Sequence, residues 1–219
     1  MDYLSFDVGI KNLAYCILSP DKTINGWGIL NLNDNPICQV SLRKKCDKQA
    51  SYIVKDDVDI DHCCTAHSKR FKKVKKLNAN HDIFNLSQTC IERLRELDLS
   101  TIKTVLIENQ PALKNPVMKS VQMMIYTFFI VEGVMNPNSP IEKVHMVNAR
   151  NKLTIYDGPH VECTKTDKYA KNKFLSVEYT RYMIQSQKAD FNELFDKSKK
   201  KDDLADAYLQ GIYWILKRT

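Results

Sequence analysis

The sequence predicts an α/β fold with a mixed sheet: a meander of three strands, then helices and strands in alternation. Two patterns carry this prediction. The N-terminal part holds short, β-prone apolar runs separated by turn residues. Beyond Lys76, runs at helical spacing alternate with short β-branched ones. Size agrees, because 219 residues, 43% hydrophobic and 27% charged, suit one globular domain or a domain with an insertion.

Tyr3 to Asp7 is short and β-prone, Gly9 to Asn12 reads as a turn, and Leu13 to Leu18 is a second apolar run; together they form a hairpin. A third strand covers Trp27 to Leu32, after a turn at Asn25-Gly26. From Asn33 to Lys76 the chain turns polar, rich in Lys, Asp and Cys, and loses periodicity. That stretch, 33–76, reads as an insertion within a single domain spanning 1–219. His81 to Leu97 then places Ile83, Leu86, Cys90, Leu94 and Leu97 on one helical face. Thr101 to Ile107 is a strand. Asn115 before Pro116 marks a helix start, a capping residue followed by proline in the first turn, and the helix runs to Val134. Glu142 to Val147 is another strand, Lys168 to Ser186 is helical, and the last helix runs from Asp202 to Lys217. Three strands, helix, strand, helix, strand, helix, helix is the order of the ribonuclease H-like fold. Right-handed crossovers then set the first and fourth strands side by side and parallel.

The net charge of +7 favours an anionic partner, nucleic acid being the commonest. The N-terminus MDYLSFDVGI lacks the basic and apolar regions of a secretory signal. The most apolar window, Met123 to Val131, is too short for a membrane span. Seven cysteines, an odd count, read as reduced thiols in an intracellular setting, some of them metal-bound.

Four carboxylates stand out by position. Asp7 ends one apolar strand and Glu108 ends another; Asp203 and Asp206, three apart, share a face of the last helix. A helix packed over neighbouring strand ends would gather all four. Clustered carboxylates repel one another, divalent cations remove that cost, and an oxygen-only set selects hard ions such as Mg²⁺ or Mn²⁺. Singly, each has a structural explanation: a strand-end acid, a lysine partner, or the helix dipole for Asp203. Asp202 reads as the N-cap of the last helix. Asp206, among Leu204, Ala205, Ala207, Tyr208 and Leu209, is the hardest of the four to explain that way.

The segments FDVGIKN (Phe6 to Asn12), IENQP (Ile107 to Pro111) and KKDDLADAYL (Lys200 to Leu209) resemble the motifs of RuvC-type Holliday junction resolvases. They are most similar to the branch found in poxviruses and other large DNA viruses. The resemblance covers nearly the whole chain outside 33–76. It implies a ribonuclease H-like fold, a homodimer, and Mg²⁺-dependent cutting of four-way DNA junctions, with Mn²⁺ a possible substitute. It implies two metal ions on Asp7, Glu108, Asp203 and Asp206, and a basic residue after the fifth strand. Lys152 fits that place, and Arg150 is its rival. Lys11 and Asn12, in the same motif, are candidate phosphate contacts. A viral origin would place the protein in host cytoplasm, at sites of viral DNA replication.

The insertion carries Cys38, Cys46, Cys63, Cys64 and His67. Cys64 and His67 have knuckle spacing, whereas Cys38 and Cys46 stand wider than usual. Cys38, Cys46, Cys64 and His67 form the expected structural Zn²⁺ site, with Cys63 the alternative to Cys64. A polar segment without a core needs such a staple. The run Lys69, Arg70, Phe71, Lys72, Lys73, Val74, Lys75, Lys76 follows. Its basic residues are expected to bind DNA phosphates, with Phe71 against a base. Lys199, Lys200 and Lys201 make a second basic run beside the acids. The helix after Glu108 is apolar nearly all round, which fits the dimer that the resemblance implies. Two other readings stand beside a junction-resolving endonuclease. One is a nuclease of this fold acting on RNA–DNA hybrids or other branched DNA; the other is a non-catalytic zinc protein that binds nucleic acid.

Overall fold

A computed structural model describes residues 1–32, 35–42, 44–56, 58–77, 83–113 and 115–217. The chain forms two compact units, 1–32 with 87–219, and 33–86. The insertion boundary expected at Asn33 and the helix start expected at His81 lie outside the described residues.

The first unit opens with β1 (Asp2–Asp7), β2 (Asn12–Leu18) and β3 (Ile24–Asn31), paired antiparallel in sequence. The turn expected at Asn25-Gly26 is not there; both residues lie inside β3. The chain reverses earlier, where Ser19 N donates to Thr23 O at 3.0 Å and Lys22 N to Ser19 O at 2.9 Å. Lys22 takes the left-handed φ of 72° that this reversal requires. Gly26 serves packing instead, since a Cβ there would stand 3.0 Å from Ile17 Cδ1.

After α2 (Ile83–Arg95), β7 (Ile102–Glu108) lies parallel to β1, and β8 (Lys143–Val147) lies parallel to β7. The sheet order is therefore β3-β2-β1-β7-β8. Between β7 and β8 runs α3 (Pro116–Phe128), capped by Asn115, whose side chain accepts from Met118 N. The helix continues as a π-helical segment, Phe129–Val134. This run, Pro116–Val134, is 19 residues long and apolar enough by length and composition to cross a membrane. Here one face of it is core: Val121, Gln122, Ile125, Phe128, Phe129 and Gly133 are buried. A 3-10 segment, Ala149–Ile155, then leads to α4 (Lys168–Met183), α5 (Ala189–Lys197) and α6 (Lys201–Lys217). The sequence reading missed α5. The helix is short and polar and buries only Phe195, which stacks on Trp27 with ring centroids 5.3 Å apart.

Alternation along β1 assigns the two faces of the sheet. Ser5 faces α6, where its Oγ accepts from Gln210 Nε2 at 3.1 Å. Phe6 faces the other way and meets the ring of Phe129 at 5.7 Å. Gly211 lets α6 come close: a Cβ there would lie 2.5 Å from Leu18 Cδ1 and 3.2 Å from Ser5 Cβ. The core under α6 gathers Ala14, Cys16, Leu18, Trp27, Phe195, Leu204 and Tyr208.

The second unit contains β4 (Tyr52–Val54), β5 (His62–Cys63), α1 (Thr65–Ser68) and β6 (Val74–Lys76). Its sheet has the order β5-β4-β6. None of these strands exceeds three residues, which is too short for a period to show in the sequence. Its small core is Cys38, Val40, Val54, Cys63 and Cys64.

Candidate active site

β1 and β7 run parallel with Phe6 beside Ile107, so Asp7 and Glu108 end their strands at the same level and on the same face. By alternation that face is the one Ser5 turns toward α6. The loop after Asp7 is tight. A Cβ on Gly9 would lie 2.3 Å from Asn12 O, so the glycine of the DVG motif is required by the backbone's own close approach. Two buried hydrogen bonds hold α6 over these strand ends. Gln210 Nε2 donates to Phe6 O at 3.1 Å, and Trp27 Nε1 donates to Leu204 O at 3.1 Å. Asp206, one turn before Gln210, is carried to Asp7.

The electrostatics record that meeting. Burial, then the charges of Glu108 and Asp206, then a hydrogen bond with Glu108, hold the Asp7 carboxyl well above its ordinary pKa. Lys152 opposes the shift. The lysine arrives from the 3-10 segment directly after β8, whose start is fixed by Asn148 Oδ1 accepting from Arg150 N at 3.1 Å. Its Nζ lies 2.9 Å from Asp206 Oδ1. Burial pulls Lys152 down, but Asp206, Asp7 and Glu108 together raise it above the usual lysine value. Arg150 is exposed. Of the two rivals, only Lys152 reaches the acids.

Asp203 stands at the margin of this group. Burial and the neighbouring Asp202 raise its pKa, Lys200 and Lys173 lower it, and Asp206 adds a smaller rise. Asp202 is not the N-cap expected from sequence, because α6 begins at Lys201 and Asp202 already lies in its first turn. Its carboxylate pairs with Lys173 Nζ of α4 at 2.5 Å. That ion pair outweighs burial and holds Asp202 below the ordinary carboxylate value.

Glu108 has its support in Gln110, a neighbour that the sequence already offers for that role, and behind it in Gln122, which sequence reasoning did not single out. Gln110 Nε2 donates to Glu108 Oε2 at 2.6 Å. Gln110 N in turn donates to Oε1 of the fully buried Gln122 at 2.8 Å, which also accepts from Lys119 Nζ at 3.0 Å. A glutamine inside the apolar helix α3 was the available signal, because a buried amide needs partners.

The donor set fits a hard divalent cation. Three carboxylates converge here, burial and the charges of the other two penalise the ionised form of Asp7, and a bound cation would remove that penalty.

In the second unit, Sγ of Cys38, Cys46 and Cys64 and a ring nitrogen of His67 all lie within 4.8 Å of one another. His67 Nδ1 is 3.3 Å from Cys38 Sγ and 3.6 Å from Cys64 Sγ. This is a closed soft N/S set, which suits Zn²⁺. Cys63 is buried in β5 and lies outside the set. Burial would raise the Cys64 thiol, but hydrogen bonds from the amides of His67 and Ala66 and from Cys38 and Cys46 bring it below the usual cysteine value. All seven cysteines are free thiols.

The basic residues fall in three places. Lys69, Arg70, Lys72, Lys73, Lys75 and Lys76 are exposed around α1 and β6. Phe71, expected against a base, is half-buried against the small core of that unit. Lys199 and Lys200 are exposed before α6, while Lys201 Nζ donates to Asp196 O and Ser198 O. Lys11 is exposed beside Asp7's loop, and Asn12 opens β2 opposite Asn31.

No family model matches the chain. An uncharacterized protein of Acanthamoeba polyphaga mimivirus is 28% identical over 251 aligned positions, covering 94% of this chain and 60% of the relative. The chain thus spans about 60% of that relative's length. Among solved structures, fowlpox virus resolvase in complex with Holliday junction DNA superposes with a TM-score of 0.55 at 18% identity, covering 100% of this chain and 99% of that one. The yeast mitochondrial Holliday junction resolvase superposes with a TM-score of 0.55 at 18% identity, covering 97% and 78%. At this identity the likeness is one of fold, and the fold is the ribonuclease H-like fold of these resolvases.

Proposed function

We propose that the chain is a viral RuvC-type, structure-selective endonuclease that resolves four-way DNA junctions by phosphodiester hydrolysis. One observation carries the reading: Asp7, Glu108 and Asp206 converge at parallel strand ends with Lys152 beside them. The superposition on two resolvases supports it as a likeness of fold.

Asp7, Glu108 and Asp206 would hold Mg²⁺, with Asp203 completing the set for a second ion. Metal ions at such a site supply Lewis acidity and lower the pKa of a hydrolytic water. Glu108 is held in position by Gln110. Lys152 places a positive charge where the phosphate gains negative charge. The basic runs hold the phosphate backbone, with Zn²⁺ on Cys38, Cys46, Cys64 and His67 organising the unit that carries Lys69 to Lys76. The exposed apolar side chains Met123 and Val131 on the outer face of the long helix support a homodimer. A two-fold axis would set two sites on opposed strands of a junction.

The test is cleavage of a synthetic four-way junction with Mg²⁺, beside linear duplex and RNA–DNA hybrid controls. Paired nicks in the junction alone are expected. Preference for the hybrid would move the reading to a different nuclease, and binding without any cutting would reduce the chain to a binding protein.

A further inference from the structure

A groove of about 820 Å³ opens between α4 and the start of α6, and the roles assigned above leave most of its lining unused. Its walls combine two aromatic rings, Tyr169 and Phe174, with Lys165, Lys173 and Lys199. The single acid on its rim, Asp202, is already paired with Lys173. Tyr169 is 69% exposed, unusual for an aromatic side chain with no structural burial. Lys173 Nζ sits 5.1 Å from the Tyr169 ring centroid and so orients the ring. Among the described residues, Lys165 and Lys199 make no ion pair. The groove thus offers flat aromatic surface and uncompensated positive charge together, and its rim residue Asp202 adjoins Asp203.

We propose that this groove is a subsite for one unpaired deoxynucleotide next to the scissile phosphate, with the base against Tyr169 and the phosphate on Lys165 and Lys199. The proposal rests on the nuclease reading for its place along the strand. A lone anion would use the lysines and leave the rings without a purpose. An apolar ligand would use the rings and leave the lysines without an anion. A nucleotide uses both. Bases at a branch point are the least held by stacking and pairing, so a junction supplies such a nucleotide at low cost.

The test titrates the full chain, without Mg²⁺, with a single-stranded oligodeoxynucleotide carrying 2-aminopurine and with the same strand abasic at that position. The 2-aminopurine strand is expected to be quenched on binding and to bind about ten-fold more tightly than the abasic strand. Tyr169→Ala should abolish both the quenching and the difference, and Tyr169→Phe should retain them. Equal affinity for the two strands would leave a phosphate cleft only and overturn the subsite, as would unchanged quenching in Tyr169→Ala. If the chain cuts no junction while Tyr169-dependent quenching persists, the subsite stands and the nuclease reading falls.

Discussion

Lys152 Nζ lies 2.9 Å from Asp206 Oδ1, and both side chains are largely withdrawn from solvent, at 14% and 23% exposure. The lysine comes from the segment after β8 and the aspartate from α6, so the contact joins two distant parts of the sequence. Lys152→Ala should lower junction cleavage by about 10²–10³-fold, in the range for loss of one preorganised charge. Junction affinity without Mg²⁺ should change little. Arg150→Ala, at an exposed position, should weaken binding and leave turnover of bound junction near normal. Full turnover by Lys152→Ala in a gel assay would contradict the role.

Asp7 predicts a pH dependence. Its pKa in the fold is raised by burial, by Glu108 and by Asp206. A carboxyl with a raised folded pKa binds more protons folded than unfolded, so stability falls as pH rises from the ordinary value of 3.8 through the folded one. The metal-free protein therefore carries a penalty at neutral pH. Asp7→Asn should raise the Tm of metal-free protein at pH 7 and flatten its pH dependence, while abolishing cleavage. A lower Tm in that variant, by calorimetry, would show that the carboxylates are not in conflict.

The Cys/His set predicts one zinc per chain by elemental analysis. The small core of the second unit is too limited to hold that unit without a staple. Cys38→Ser should lose the metal and expose 33–86 to protease while 87–219 resists. Cys63→Ser should keep the metal. Zinc retained in full by Cys38→Ser would exclude the set.

Gly211→Ala tests how α6 is seated. The added methyl would meet Leu18 and Ser5 inside the core. The expected cost is about 1–3 kcal/mol. In a chain of this size that lowers Tm by roughly 2–4 °C per kcal/mol. An unchanged Tm would mean that the helix shifts freely on the sheet.

Much of this site was legible in the sequence because its acids sit where local patterns end. Asp7 and Glu108 close apolar strands, and Asp206 interrupts an apolar helix face. The Cys/His set was legible from residue type, since Cys and His gathered in a polar stretch have few other uses. Partnerships across the fold were not legible. Asp202 reads as a cap by position, yet Lys173, a helix away, claims it. Asn25-Gly26 reads as a turn by composition, yet Gly26 is needed beside Ile17. Gln122 joins the support of Glu108, through Gln110, only when α3 packs behind β7. Local chemistry marks the strand-end acids and the Cys/His set; the third dimension decides what neutralises them.

Gln210 fastens α6 to β1 through both Ser5 and Phe6, the two residues preceding Asp7. Asp206 lies one helical turn upstream of that fastening, so the helix acts as a ruler whose zero mark is on the neighbouring strand. Its phase is as important as its length. A single residue gained or lost between Asp206 and Gln210 would turn the carboxylate by about 100° and carry it off the sheet. The spacing of these two residues is thus a dimension of the site itself, written as a count of amino acids.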